Sequence, residues 1–154
     1  RLHPLRSAVT MANRTDPLAE AVHGTDPQRL LPLILRDRIY STTYWKEHCF
    51  GLSATDVIRR ASPGGPDGAR VRCAGGCYGG NGRPTRFLCL LCKMLQIQPG
   101  REVVDAMLSA PGRDATYVRL LAAAYLRMTG RPAEIHNALS GMLADRSPVD
   151  VRGP

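Results

Sequence analysis

Several features are missing from these 154 residues. No uncharged apolar run approaches the ~18 residues of a membrane-spanning helix. The N-terminal RLHPLRSAVTMANRT carries basic residues without the apolar stretch of a secretory signal, so an intracellular, reducing compartment is expected. No segment sustains period-2 alternation, which sets sheet architectures aside and leaves an all-α class. There is no G-x-S-x-G and no H-E-x-x-H, and GGNGRPT lacks the lysine and spacing of a Walker loop. The four histidines are scattered, without cysteine or carboxylate partners at metal spacing. Nothing in the sequence supports catalysis.

Lysine is confined to Lys46 and Lys93, so the net charge of +8 is almost wholly arginine. A GC-rich coding sequence would also produce such a bias, and the local distribution says more. No acid lies between Asp67 and Glu102, whereas Arg70, Arg72, Arg83, Arg86, Lys93 and Arg101 all do. This basic segment is a candidate electrostatic surface. It lacks the interleaved aromatics of a base-stacking face, with only Tyr78 and Phe87 present.

What is there reads as one compact multi-helix domain, long enough to bury a core without staples. Residues 1–10 precede the first Met, Met11, and are set apart as upstream or disordered. HGTDPQ opens the first structured segment, with Asp26 or Thr25 as cap and Pro27 in the first turn. Leu30, Leu31, Ile34, Leu35 and Ile39 then fall near one helical face, although Pro32 forces a kink or a fresh start. Gly51 reads as a helix stop after STTYWKEHCF, and Ser53 with Asp56 as a near capping box. Residues 62–86 form a long Gly/Pro-rich loop, in which SPGGPDGA is a flexible insertion and Arg72 to Arg86 the more ordered part. Thr85 caps FLCLLCKMLQIQ, apolar nearly all round and hence the buried central helix, stopped by Pro99. GREVVDAMLS follows, then ATYVRLLAAAYLRMTG with Asp114 as cap and Gly130 as stop. RPAEIHNALSGMLADR is the last helix, weakened by Gly141, and 147–154 a disordered tail.

Four of the five cysteines lie in CAGGCYGGNGRPTRFLCLLC, as C-x3-C and C-x2-C. A tetrahedral thiolate site could use both pairs. Against it, Cys89 and Cys92 sit in an apolar helical run, where cysteine behaves as a small buried side chain. Two short stretches could serve recognition. Tyr44, Trp45 and Lys46 form an aromatic hot-spot candidate, the competing reading being that the sole Trp is core. Tyr78, Gly79, Gly80 and Asn81 make either a rigid loop presented to a partner or a turn that sets the entry of the central helix.

MANRT, HGTDPQ, RIY, YWKEHCFGL, YGGN, PTRFLCLLCKMLQIQP and YVRLLAAAYLRMTG occur in this order. Together they resemble the N-terminal helical domain of the pre-mRNA-splicing factor 38 family, from about Met11 to Arg146. In the family pattern only Cys49 and Cys89 are usual cysteines; positions 73, 77 and 92 commonly carry bulky apolar residues, so the resemblance implies no zinc and no other cofactor. It implies a non-enzymatic nuclear protein, an interaction scaffold of the tri-snRNP and precatalytic spliceosome needed for activation of splicing. Its partners would be helical segments of other spliceosomal proteins, including a microfibrillar-associated protein homologue and a small zinc-finger protein. It allows indirect or phosphate-level contact with snRNA, and membrane contact is not expected. The chain departs from the pattern at SPGGPDGA, at Pro32, and in ending at Pro154, where the family domain continues. A fragment, or a truncated paralogue without splicing activity, would have that form. A zinc-dependent nucleic-acid-binding module is the alternative from another class.

Overall fold

Thr85 starts the helix around which everything else is arranged. In the computed structural model, which describes residues 13–65 and 70–153, Thr85 is extended and its Oγ1 accepts the Leu88 N–H at 3.2 Å while donating to the Gly75 carbonyl. That is the N-cap arrangement expected of a threonine before an apolar run. From Phe87 to Gln96 every side chain is buried, so this helix has no outward face. It ends at Ile97, where Gln98 takes a left-handed conformation (φ 44°) and Pro99 cannot continue the ladder. Residues 1–10 and the second half of SPGGPDGA lie outside the described residues.

In chain order the elements are a 3-10 turn Pro27–Leu30, helix α1 (Leu33–Ser41), a π-type turn Trp45–Cys49 and helix α2 (Ala54–Ala61). Strands β1 (Cys77–Tyr78) and β2 (Arg83–Pro84) follow, then helix α3 (Arg86–Ile97), just described, and α4 (Arg101–Leu108). A 3-10 turn Arg113–Ala115 leads into α5 (Thr116–Thr129), α6 (Pro132–Leu139) and a last 3-10 turn Ser140–Ala144. Helix α3 packs against α1, α2, α5 and the turns at 27–30 and 45–49, while α4 packs on α5. The core joins Ile39, Val57, Leu90, Met94, Leu95, Val118 and Leu121, all at most 2% exposed. Truncating one such leucine to alanine typically costs about 2–5 kcal/mol.

The all-α reading stands, with one addition: the long loop folds back as a two-residue hairpin, Cys77 opposite Pro84 and Tyr78 opposite Arg83. Ser53 and Asp56 form a full capping box on α2. Pro32 divides the apolar run into a 3-10 turn and α1 rather than leaving one kinked helix. Leu31 and Ile39 remain buried, but Ile34 is 71% exposed, because the restart at Pro32 rotates it off the expected face. Asp114 does not cap α5; it sits in the 3-10 turn, and α5 begins at Thr116 without a side-chain cap. Arg119 instead donates to the Ala110 and Gly112 carbonyls, each at 2.7 Å, closing the α4–α5 connection. At Gly141 the last helix has already tightened into its 3-10 turn.

Both ends of the described chain are laced to the core through polar groups. Asp16 N donates to Gln96 O at 2.9 Å, and Glu20 N to Gln98 Oε1 at 2.7 Å. Order therefore begins before HGTDPQ. In residues 147–153, Ala74 N donates to Asp150 O at 2.8 Å, Asp150 N to Tyr117 Oη at 3.4 Å, and buried Gly153 lies against the Tyr78 ring. Backbone groups make these attachments, so a search for apolar periodicity passes over them.

Candidate functional site

The C-terminal part of α1, the segment 42–44, the β-hairpin and the first residue of α3 enclose an open cleft of about 440 Å³. Its walls include Arg38, Arg83, Arg86, Ser41, Thr43 and Asn81, with no acidic residue among the lining side chains. The hairpin turn presents its part through glycine. Gly79 and Gly82 have positive φ (71° and 60°), and Gly82 N donates back to Gly79 O at 3.1 Å. At Gly82 a Cβ would stand 2.7 Å from Arg38 Nη1, so the missing side chain is what lets the guanidinium approach the turn. Arg86 is held from two sides: Nη1 donates to Arg70 O at 2.9 Å, and Cζ lies 5.4 Å from the centre of the Tyr44 ring. Burial pushes the Tyr44 phenol well above its ordinary 10.0, with Cys49 adding to the rise and Arg60 opposing it.

Of the residues picked out in the sequence, Tyr44, Tyr78, Asn81, Arg83 and Arg86 meet in this cleft. Trp45 does not: it is 3% exposed, its Nε1 donating to Asn13 Oδ1 at 2.9 Å, and it belongs to the core. Lys46 is exposed outside the cleft, and Gly79 and Gly80 form the exposed tip of the turn. The basic segment does not become one surface. Arg72 and Arg83 are exposed, Arg70 and Arg86 are half-buried, and Lys93 is buried. Arg101 is exposed but ion-paired with Asp105 at 2.8 Å and with Glu134. Sequence reasoning missed Arg38, Ser41 and Thr43. The spacing of Arg38 and Ser41 in RDRIYSTTY places them on one helical face, but nothing local says that the face meets the hairpin.

The cysteines do not converge as a thiolate site. Cys49, Cys73, Cys89 and Cys92 are buried and Cys77 is exposed. Burial pushes the Cys89 thiol up to about 11 and the Cys92 thiol to about 12. Among the described residues no group of three or more His, Cys, Asp or Glu side chains is placed to hold a metal ion.

The fold and the cleft define a mainly helical module built on a buried central helix, with an open cleft beside its hairpin. The profile of the PRP38 family matches residues 20–153, and the chain belongs to that family. It is 44% identical over 135 residues to pre-mRNA-splicing factor 38 of Arabidopsis thaliana, covering 88% of this chain and 36% of that protein. Against pre-mRNA-splicing factor 38A of Danio rerio the identity is 45%, covering 88% of this chain and 40% of the relative. The chain thus spans well under half the length of these relatives. Among solved structures it is similar to a chain of the Snu23–Prp38–MFAP1(217–258) complex of Chaetomium thermophilum, with TM-score 0.74 and 34% identity, over 83% of this chain and 63% of that one.

Proposed function

We propose that this chain is a non-enzymatic interaction platform of the spliceosome, acting in the nucleus within the tri-snRNP and the precatalytic particle to support activation of splicing. The observation that carries the reading is the likeness, in sequence and in fold, to a chain of a complex containing Snu23, Prp38 and MFAP1. By that likeness its partners are spliceosomal proteins that offer helical segments to its periphery. The physical arrangement suits the task. Helix α3 is wholly enclosed, so partners must be met by the rim: the cleft beside the hairpin and the outer faces of the peripheral helices. The interacting unit is taken to be residues 11–146, most of which the family match over residues 20–153 supports.

A contact with RNA phosphates is the subordinate part of this reading. Its support is the exposed pair Arg72 and Arg83; the dispersal of the segment's other basic residues, and the pairing of Arg101, leave no continuous cationic track in this segment among the described residues. The test is to express the tagged chain in its own cell type and identify what co-purifies from nuclear extract, with and without nuclease. Tri-snRNP proteins retained after nuclease are the expected result. Loss on nuclease treatment would move the contact to RNA. Absence of spliceosomal proteins from a soluble chain that melts cooperatively would end the splicing assignment.

A further inference from the structure

The three arginines of the cleft have no carboxylate partner among the described residues. Arg86 is positioned by the Arg70 carbonyl and the Tyr44 ring, and Arg38 lies against the open side of Gly82. Ser41, Thr43 and Asn81 line the same space, the Ser41 hydroxyl donating to the Asp37 carbonyl at 2.7 Å and keeping its oxygen as an acceptor. We propose that this cleft is a phosphate-recognition site that takes a phosphorylated serine or threonine of a partner peptide.

The chemistry selects the ligand in two steps. A side-chain phosphate carries nearly two charges and three acceptor oxygens, enough to engage several guanidinium groups together with hydroxyl and amide donors. An Asp or Glu carboxylate offers two oxygens and one charge, and engages fewer of these donors at once. RNA is the other polyanion. A single strand is met by cations spaced along a groove, with aromatic faces open for the bases. Here three arginines line one open cleft, and Arg86 stands over the Tyr44 ring. A recess of about 440 Å³ has room for one phosphorylated side chain and adjoining backbone, within the usual range of small-ligand pockets.

The proposal depends on the platform reading only in that the ligand is a protein segment, and its test needs no spliceosomal component. Fluorescein-labelled degenerate phosphoserine and phosphothreonine peptides, their unphosphorylated and glutamate twins, and a short oligouridylate are titrated against the whole chain by anisotropy at fixed salt. The phosphopeptides should bind at least about tenfold tighter than both twins, and Arg38→Ala or Arg83→Ala should each weaken them by about tenfold, the worth of one charged hydrogen bond. Arg83→Lys should fall between, because it keeps the charge and loses the planar fork. Arg127→Ala, an exposed arginine outside the cleft, should change nothing. Circular dichroism confirms that each variant is folded. Equal binding of phosphorylated and unphosphorylated peptides overturns the proposal. So do folded Arg38 and Arg83 variants that bind as well as the parent, or oligouridylate binding equally tightly with the same arginine dependence. Those failures would leave the co-purification result untouched.

Discussion

Lys93 Nζ lies 5.7 Å from the centre of the Trp45 ring and 3.1 Å from Gln96 Oε1, and the lysine is only 5% exposed. The indole face and an amide oxygen support the buried ammonium. Burial holds its pKa below the ordinary 10.5. As pH rises from the folded value towards 10.5, the unfolded lysine retains more protons than the folded one. This group's contribution to stability therefore increases with pH across that window. The buried Cys89 and Cys92 thiols, raised to about 11 and about 12, act the other way from their ordinary 9.0 upwards. Comparison with Lys93→Met isolates the lysine. Urea denaturation should show the parent gaining on the variant as pH climbs from neutral towards 10.5; parallel curves would contradict this.

Thr85 joins the hairpin to α3, accepting from Leu88 N and donating to the Gly75 carbonyl. Thr85→Ala removes both bonds in a buried place and should cost about 2–3 kcal/mol, combining a lost cap with an unmatched carbonyl. Thr85→Ser retains the hydroxyl and should recover most of that. Thermal or urea unfolding of the pair decides it.

Gly82 is left-handed (φ 60°) and lies against Arg38 Nη1, whereas Gly80 has open space around it and no positive φ. Gly82→Ala should lower stability by about 1–2 kcal/mol through backbone strain and push Arg38 aside. Gly80→Ala should stay within about 0.5 kcal/mol of the parent. Melting curves that do not separate the two substitutions would count against the turn geometry described above.

Ending the chain at Arg146 removes the acceptor of the Ala74 N–H and the Asp150 amide that donates to the Tyr117 hydroxyl. Hydrogen exchange at Ala74 should accelerate at least about tenfold, with a loss of about 1–2 kcal/mol in global stability. An unchanged Ala74 amide would mean that the attachment of the tail contributes nothing.

The legible parts of this fold were those written in neighbouring residues. Ser53 with Asp56, Thr85 before FLCLLCKMLQIQ and Pro99 after it each carry their own start or stop signal, and the enclosed central helix follows from an apolar run with no polar stripe. Misread features depended on distant partners or on choices of register. Ile34 fits a helical stripe until Pro32 restarts the count. Strands of two residues are too short for any alternation to show, so the hairpin was invisible, although its YGGN turn was not. The candidate site was half legible. Tyr44, Tyr78, Asn81, Arg83 and Arg86 were named from two short stretches and the basic segment, but only the fold joins them, brings Arg38 beside Gly82 and withdraws Trp45 into the core.

The enclosure of α3 also has a consequence for synthesis. Its cover includes α5, whose last residue follows Ile97 by 32 positions. At roughly 5–20 residues per second of translation, the most apolar helix of the nascent chain waits about 2–6 seconds for that cover to be made. During this interval α1 and α2 can shield only part of it. The rest is open to a chaperone or to a neighbouring nascent chain, which makes the yield of this domain sensitive to translation speed between residues 98 and 129.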